Sequence, residues 1–434
     1  MKKGVDRVLP YRLLDRVTLK NEYAQLLEKY QQYKELKLSL NMARGKPDTD
    51  QLDLSQNILT SFLSPADCIA EDGTDCRNYG LLDGIPEAKH FFAELLSVAE
   101  DELIVCGNSS LNLMYDTVVR CLLYGAGAGK TPWIHQGKIK FLCPAPGYDR
   151  HFAICQSLGF DMITVPMTKD GPDMDKVEAL VASDPAIKGI WCVPKYSNPE
   201  GVTYSDETVR RFAALKPAAD DFRIFWDNAY LVHDLYDEGD SLLNLCELVK
   251  GTPMKDGVFE FFSTSKISFP GAGVAVIASS HANIEHIKSI LTVQTIGYNK
   301  LNMLRHVQFF KNREGVREQM KRHAALLRPK FEAILEAFDR ELAPLGIVSY
   351  TRPRGGYFIS LDTMPGTATR VYQLMKEAGV TMTKVGATFP YGQDPEDKNL
   401  RIAPSYPPLH EIRVATEILV CAVKLATLEK LLEA

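Results

Sequence analysis

The sequence predicts an α/β protein: a large unit with a mostly parallel central sheet between helices, joined to a smaller α+β unit. Two observations carry this. Five short runs in the middle of the chain, Ile139–Cys143, Ile187–Val193, Phe222–Trp226, Val258–Phe262 and Val274–Ala278, are apolar at nearly every position. Continuous apolarity marks strands buried on both faces, as when helices cover a parallel sheet. The second observation concerns the residues just past the ends of four of these runs. There, PAPGYDRH, PKYSNPEG, DNAY and STSK gather polar, turn-forming and ionisable side chains. Open α/β sheets bind ligands at that edge.

The other elements can be placed in chain order. Leu19, Tyr23, Leu26, Leu27, Tyr30, Tyr33 and Leu36 recur at spacings of three and four, so a helix is expected over Leu19–Leu38. Asn41–Ser55 is polar, with glycine and proline, and reads as an irregular loop. Helical patterning returns from Tyr298 to Glu341, with Pro329 expected to kink or end the helix. The expected division is a large unit over 61–325, with 1–60 and 326–434 together forming the small one.

Composition narrows the class. Of 434 residues, 50 are Lys or Arg and 55 are Asp or Glu, a net charge of −5 that gives no basic footprint for nucleic acid. The longest apolar run, near Pro270–Ala278, is too short to span a membrane. MKKGVDRVLP lacks the apolar segment of a secretory signal. The nine cysteines include no C-x-x-C pair, so reduced structural thiols, no metal site and a cytoplasmic location are expected.

Five segments bear on chemistry. YGAGAGKT (Tyr124–Thr131) imitates a phosphate loop, but Tyr124 stands where that pattern needs glycine, so it reads as a flexible connector. In STSKISFPGAG, Lys266 directly follows a buried strand; desolvation would make its amine nucleophilic, and the alternative is a surface loop lysine. Asp227 ends the run FRIFWD and needs a cationic or donor partner there, unless it is a helix cap; Tyr230 lies three residues on. Asn198 lies in YSNPEG, a turn by itself, where its amide could donate to an oxygen. Arg401, in NLRIAPSYP, suits bidentate capture of a carboxylate or a structural ion pair.

Taken together and in order, Asn198 in N-P-x-G, Asp227 in D-x-A-Y, Lys266 in S-x-S-K and Arg401 in R-I-A-P resemble the fold type I, pyridoxal-phosphate-dependent aminotransferases. ARGKP (Ala43–Pro47), KISFPGAG, TIGYNKLN (Thr295–Asn302) and GATFPYG (Gly386–Gly392) are similar to the MocR-type or bacterial subgroup of aspartate aminotransferases. The resemblance implies roles. Lys266 would carry pyridoxal phosphate covalently and then move the proton; Asp227 would pair with the ring nitrogen. Asn198 and Tyr230 would hydrogen-bond the ring's phenolic oxygen, and Tyr148 would stack on the ring.

Ser109, Ser110, Ser263 and Ser265 would hold the phosphate, the first two at a helix N-terminus. Many relatives have an arginine shortly after the lysine; this chain has Gly271-Ala-Gly-Val-Ala275 there, so another cation or more hydroxyl and backbone donors must serve. Tyr79 matches a tyrosine that reaches the neighbouring subunit's cofactor, which implies a homodimer; by itself it is a turn aromatic. Arg401 would clamp the substrate α-carboxylate, and Gly45 would let the backbone approach the substrate.

For a distal carboxylate, Arg44, Lys46, Arg77, Lys300 and Arg354 all stay open. The resemblance implies L-aspartate as amino donor and 2-oxoglutarate as acceptor. Different amino-acid specificity, or a lyase on the same fold, are the enzymatic alternatives. A regulator with an aminotransferase-like sensing domain would carry an added winged helix, and only about forty residues precede ARGKP.

Overall fold

The central sheet of the computed structural model, which describes residues 9–433, is built from eight strands. In chain order they are β1 (Leu103–Val105), β2 (Lys140–Ala145), β3 (Asp161–Thr168), β4 (Gly171–Pro172), β5 (Ile187–Cys192), β6 (Arg223–Asp227), β7 (Val258–Ser263) and β8 (Ala275–Ala278). Their spatial order is β1-β8-β7-β6-β5-β2-β3-β4. The five strands from β7 to β3 are mutually parallel, whereas β8 pairs antiparallel with β7 and β1, and β4 antiparallel with β3.

All five runs expected from continuous apolarity are strands, and both faces of the sheet are covered. Along β6, Phe225 joins one apolar cluster with Phe141, Trp191 and Phe261, while Ile224 and Trp226 join another with Leu142, Ile190 and Phe212. Gly189 is needed inside β5, because a Cβ there would meet the Phe141 ring at 2.4 Å. β3 gives no continuous apolar signal: only Met162 and Val165 are buried in it, and it contains Pro166.

A second, three-stranded antiparallel sheet is formed by Val348–Tyr350 (β9), Ile359–Thr363 (β10) and Asn399–Ile402 (β11), in the order β9-β10-β11. Its cluster also contains Leu19, Tyr30 and Tyr33 from the first long helix, Arg16–Glu35, and buried residues of the helix Leu409–Glu433. The first helix therefore starts and ends about three residues earlier than its pattern suggested, and Leu27 and Leu36 face solvent. Asp15 caps it by accepting from the amides of Val17 and Thr18.

Asn41–Ser55 is not irregular throughout: it holds the short helix Thr49–Asp53, capped by Asp48. Two further expectations need correction. The helical stretch before Glu341 breaks at Lys311–Asn312, not at Pro329. Lys311 has a left-handed φ of 66°, and Asn312 caps the next helix by accepting from Gly315 N at 3.0 Å. Pro329 lies inside the continuous helix Arg313–Glu341. A proline removes one helical hydrogen bond, at a cost of about 3 kcal/mol. The buried face of Leu327, Phe331, Ile334 and Phe338 outweighs it.

The second correction concerns Tyr124–Thr131, which is a connector but a pinned one. Buried Arg223 donates from Nε and Nη2 to the Ala126 carbonyl at 3.1 and 2.8 Å, and Lys130 pairs with Asp220 at 2.7 Å. All nine cysteines are free and buried. No helix among the described residues is long and apolar enough to cross a membrane. Most of the N-terminal stretch on which the secretory-signal expectation rests, residues 1–8, lies outside the described residues.

One buried ion pair ties the sheet to its flank. Lys188 on β5 donates to Asp221 at 2.7 Å, and Asp221 also accepts from Trp133 Nε1 and Gln136 Nε2 at 3.0 and 2.7 Å. Removing only the cation would strand the carboxylate. Lys188→Met is expected to lower unfolding stability by about 3 kcal/mol, measured from urea denaturation midpoints. A variant as stable as the parent would show that Trp133 and Gln136 suffice.

Candidate active site

The parallel strands β5, β6 and β7 end at one edge, and their chemistry-bearing residues meet there. Asp227 is the last residue of β6 and Ser263 the last of β7. Asp227 is buried; its Oδ2 accepts from His151 Nε2 at 3.1 Å, and its Oδ1 has no hydrogen-bond partner among the described residues. His151 is held flat against Trp191, ring centroids 4.4 Å apart, with Tyr148 edge-on at 4.9 Å. Sequence reasoning missed His151, although it lies three residues after Tyr148, on the same side of the helix Asp149–Ser157.

Lys266 ends a short 3-10 turn, Thr264–Lys266, immediately after β7. Its Nζ lies 5.0 Å from the centre of the Tyr230 ring. The residue keeps some solvent contact, yet surrounding rings and backbone desolvate the amine. That desolvation depresses the amine's pKa, while the Asp227 charge opposes the fall. Burial, reinforced by Tyr148 and Asp227, pushes the Tyr230 hydroxyl well up, so it stays a neutral phenol able to donate.

Arg401, on β11 of the second sheet, reaches the same edge. Its Nη1 donates to Asp149 at 2.8 Å and to Asn198 Oδ1 at 3.3 Å, and its Nε to Thr383 Oγ1 at 3.3 Å. The guanidinium rests over Phe358 at 5.1 Å. Gly45 packs on the far end of that same ring, where a Cβ would come within 2.2 Å. Thr383 also donates to the Ala43 carbonyl at 3.1 Å. The ARGKP loop is thereby fixed beside the arginine. The ion-pair reading of Arg401 is met by Asp149, and the guanidinium lies beside Asn198.

The four serines also converge. Ser109 precedes the helix Ser110–Tyr124 without its side chain capping it, so amides of the first turn remain free. Ser265 donates to the Asn108 carbonyl at 3.1 Å, and Ser263 to Ser265 Oγ at 3.2 Å. A guanidinium stands behind the Gly271–Gly273 loop: Asn302 Nδ2 donates to the Gly273 carbonyl at 2.7 Å, and Arg305 Nε to Asn302 Oδ1 at 2.8 Å. Among the described residues Arg305 has no carboxylate partner.

Tyr79 does not join this cluster. It is 81% exposed on the surface. Lys300 explains its pose, donating to the carbonyls of Asn78 and Gly80 at 2.7 and 2.9 Å on either side of it. Lys300 is therefore committed and is not an open cation. Arg77 is paired with Asp75 at 2.6 Å, Arg354 with Asp240 at 3.3 Å, and Lys46 lies 4.0 Å over the Tyr406 ring. Arg44 has no side-chain partner among the described residues.

A desolvated lysine, a carboxylate with one unsatisfied oxygen, a neutral phenol and a hydroxyl-lined helix N-terminus meet at the edge of a mixed α/β sheet. The fold is that of the fold type I aminotransferases, an architecture shared by solved aminotransferases of low identity. The family described as aspartate amino-transferase matches residues 14–434, and the chain belongs to it. It is 47% identical over 404 residues to a putative aminotransferase of Mycolicibacterium smegmatis, covering 93% of this chain and 94% of that protein. It is 44% identical over 407 residues to an aspartate aminotransferase of Corynebacterium glutamicum, covering 94% of each. A crystal structure of an aspartate transaminase from Corynebacterium glutamicum superposes with a TM-score of 0.94 at 42% identity, covering 98% of this chain and 99% of that one.

The Lys266–Asp227 electrostatics are testable without cofactor. Asp227 holds the Lys266 ammonium up against desolvation, so Asp227→Asn removes that support. The amine's midpoint is then expected to fall further below the ordinary lysine value. The pH dependence of Lys266 acetylation in cofactor-free protein, read by mass spectrometry, checks this. An unchanged or higher midpoint would show that the two groups do not interact.

Proposed function

We propose that this aminotransferase holds pyridoxal 5′-phosphate on Lys266 and moves the amino group of L-aspartate to 2-oxoglutarate. The observation that carries the cofactor reading is the pair formed by the desolvated Lys266 amine and buried Asp227, whose Oδ1 lacks a donor. A protonated ring nitrogen fits that oxygen. When bound, the cofactor supplies an aldehyde for covalent attachment and a ring that takes up carbanion charge.

The chain's own residues do the rest. His151 fixes the Asp227 carboxylate from the side away from the free oxygen. Tyr148 would cover one face of the cofactor ring, and Asn198 and Tyr230 would hydrogen-bond its phenolic oxygen. Ser109, Ser110, Ser263, Ser265 and the free helix amides receive the phosphate, with the Arg305 charge behind the glycine loop. Once its amine is released, Lys266 has the lowered basicity needed to take a proton from the substrate α-carbon and return it.

Arg401 receives the α-carboxylate, exchanging its contact with Asp149. Arg44, exposed and without a side-chain partner among the described residues, one residue before Gly45, is assigned the distal carboxylate. The ARGKP, KISFPGAG, TIGYNKLN and GATFPYG segments support a place in the MocR-type or bacterial subgroup. We place the domain division at 61–325 against 1–60 with 326–434, supported by the cluster that joins the first helix to the C-terminal one.

The working unit is taken to be a cytoplasmic homodimer with shared sites. Exposed Tyr79, Val293 and Ile296 form one surface, because Gly297 packs on the Gly80 carbonyl. Through it Tyr79 would reach the phosphate of a second copy.

Purified protein with pyridoxal phosphate should show a visible absorbance band that Lys266→Ala abolishes, and should form oxaloacetate from aspartate and 2-oxoglutarate. A colourless protein sinks the cofactor reading. Turnover of another donor without aspartate sinks only the substrate. Arg44→Gln should raise KM for aspartate about tenfold or more while leaving alanine, if used at all, unaffected.

A further inference from the structure

The main chain that carries Lys266 exposes two carbonyls to groups from distant parts of the sequence. Neither the Lys266 nor the Ile267 carbonyl accepts a backbone amide. Tyr357 Oη donates to the Lys266 carbonyl at 3.3 Å. His323 Nε2 donates to the Ile267 carbonyl at 3.0 Å, and Ser55 Oγ reaches the same carbonyl at 3.3 Å. Behind them stands Gln51. Its Nε2 donates to Tyr357 Oη at 3.0 Å and to His323 Nδ1 at 3.2 Å. Gln51, Tyr357 and His323 are all fully buried.

The direction of every bond in this network is forced. A carbonyl only accepts, so Tyr357 must spend its proton on Lys266, and His323 must carry its proton on Nε2. Tyr357 Oη and His323 Nδ1 are then left as acceptors, and both face the amide nitrogen of Gln51. The Gln51 Oε1 is used as well, accepting from Asp48 N at 3.3 Å in the capping box of helix Thr49–Asp53. Gln319 Nε2 passes 3.4 Å from His323 Nε2, whose proton is already committed, and donates instead to Ser55 Oγ at 3.1 Å.

Three elements meet at the lysine in this way. Gln51 comes from the N-terminal segment, His323 from the long helix Arg313–Glu341, and Tyr357 from the segment leading into β10. Asp48, which caps the Gln51 helix, is itself paired with Lys330 on the same long helix at 2.5 Å. Burial holds His323 down at about 4, opposed by its bond to Ile267 and by Asp48, so it is a neutral donor near pH 7.

We propose that Gln51, Tyr357 and His323 are positioning residues for Lys266, setting the main chain from which its amine reaches the cofactor. Their bonds run to the main-chain carbonyls of Lys266 and Ile267, not to the amine. The inference rests on the reading of Lys266 as the cofactor lysine, and it makes the N-terminal segment and the second sheet part of the lysine's support.

Two substitutions in the full-length protein test it. Tyr357→Phe keeps the ring and removes the proton given to Lys266. Gln51→Glu keeps the shape and reverses the polarity: a carboxylate cannot donate, so it draws the Tyr357 proton away from Lys266 and places a charge at His323 Nδ1. In cofactor-free Gln51→Glu, with isotopically labelled histidine, the NMR midpoint of His323 is expected to rise from about 4 towards the ordinary histidine range. In the loaded enzyme, both variants should shift the pH midpoint of the visible band. Both should lower kcat about three- to tenfold with KM for both substrates little changed.

Wild-type kcat and wild-type absorbance midpoints in both variants would overturn the proposal, whatever happens to melting temperature. If Gln51→Glu does not fold, Tyr357→Phe alone decides. If the wild-type protein shows no visible band, it is the cofactor reading that fails; the His323 titration still reports whether Gln51 controls that proton.

Discussion

Placing ionisable groups at the dry end of a sheet is the constraint around which this molecule is organised. Asp227 closes a strand whose other residues are wholly buried, and it can be tolerated there only with partners. His151 satisfies one oxygen and is in turn fixed by Trp191, which belongs to β5. The parallel order β7-β6-β5-β2 brings the ends of four strands to the same edge. Antiparallel neighbours would have sent alternate ends to the opposite side and dispersed the serines, Asp227 and Asn198.

The second sheet completes that edge. Arg401 projects from β11, and its register partner on β10 is Ser360. Ser360 donates to Glu200 at 2.6 Å, two residues beyond Asn198. The turn that presents Asn198 and the strand that presents Arg401 are therefore tied together by a contact outside the cleft. Desolvation holds the Glu200 carboxyl up at about 7, opposed by its bond to Ser360, with Asp362 raising it and Lys398 lowering it. Near neutral pH this seam is only partly charged, which reduces the penalty of enclosing a carboxyl between two sheets.

Much of this was legible in the amino-acid order because burial on both faces leaves a plain trace. The β6 and β7 runs carry one internal charged residue each, Arg223 and Glu260, and are otherwise apolar, so Asp227 and Lys266 stand out at their ends. What escaped depended on distance in sequence. His151 is 76 residues from Asp227, and Gln51 is 306 from Tyr357; nothing local at either end announces the other. Pro329 misled for a different reason. A proline is a conspicuous local signal, but the apolar face around it decided, while Asn312 gave the actual boundary through a single cap bond. Lys300 and Arg354 looked like available cations only because their partners, two carbonyls and an aspartate, cannot be read from the sequence.

The Arg401–Asp149 contact bears on selectivity among anions. A bare guanidinium in a cleft would collect chloride from its surroundings. Here a built-in carboxylate already neutralises it at 2.8 Å, so a newcomer gains only the difference between its own fit and that of Asp149. A flat carboxylate with two parallel oxygens can win that comparison, whereas a spherical ion has little to offer in exchange. On the proposal that Arg401 receives a carboxylate, Asp149 acts as an internal competitor: a ligand must bind the arginine better than the protein does itself.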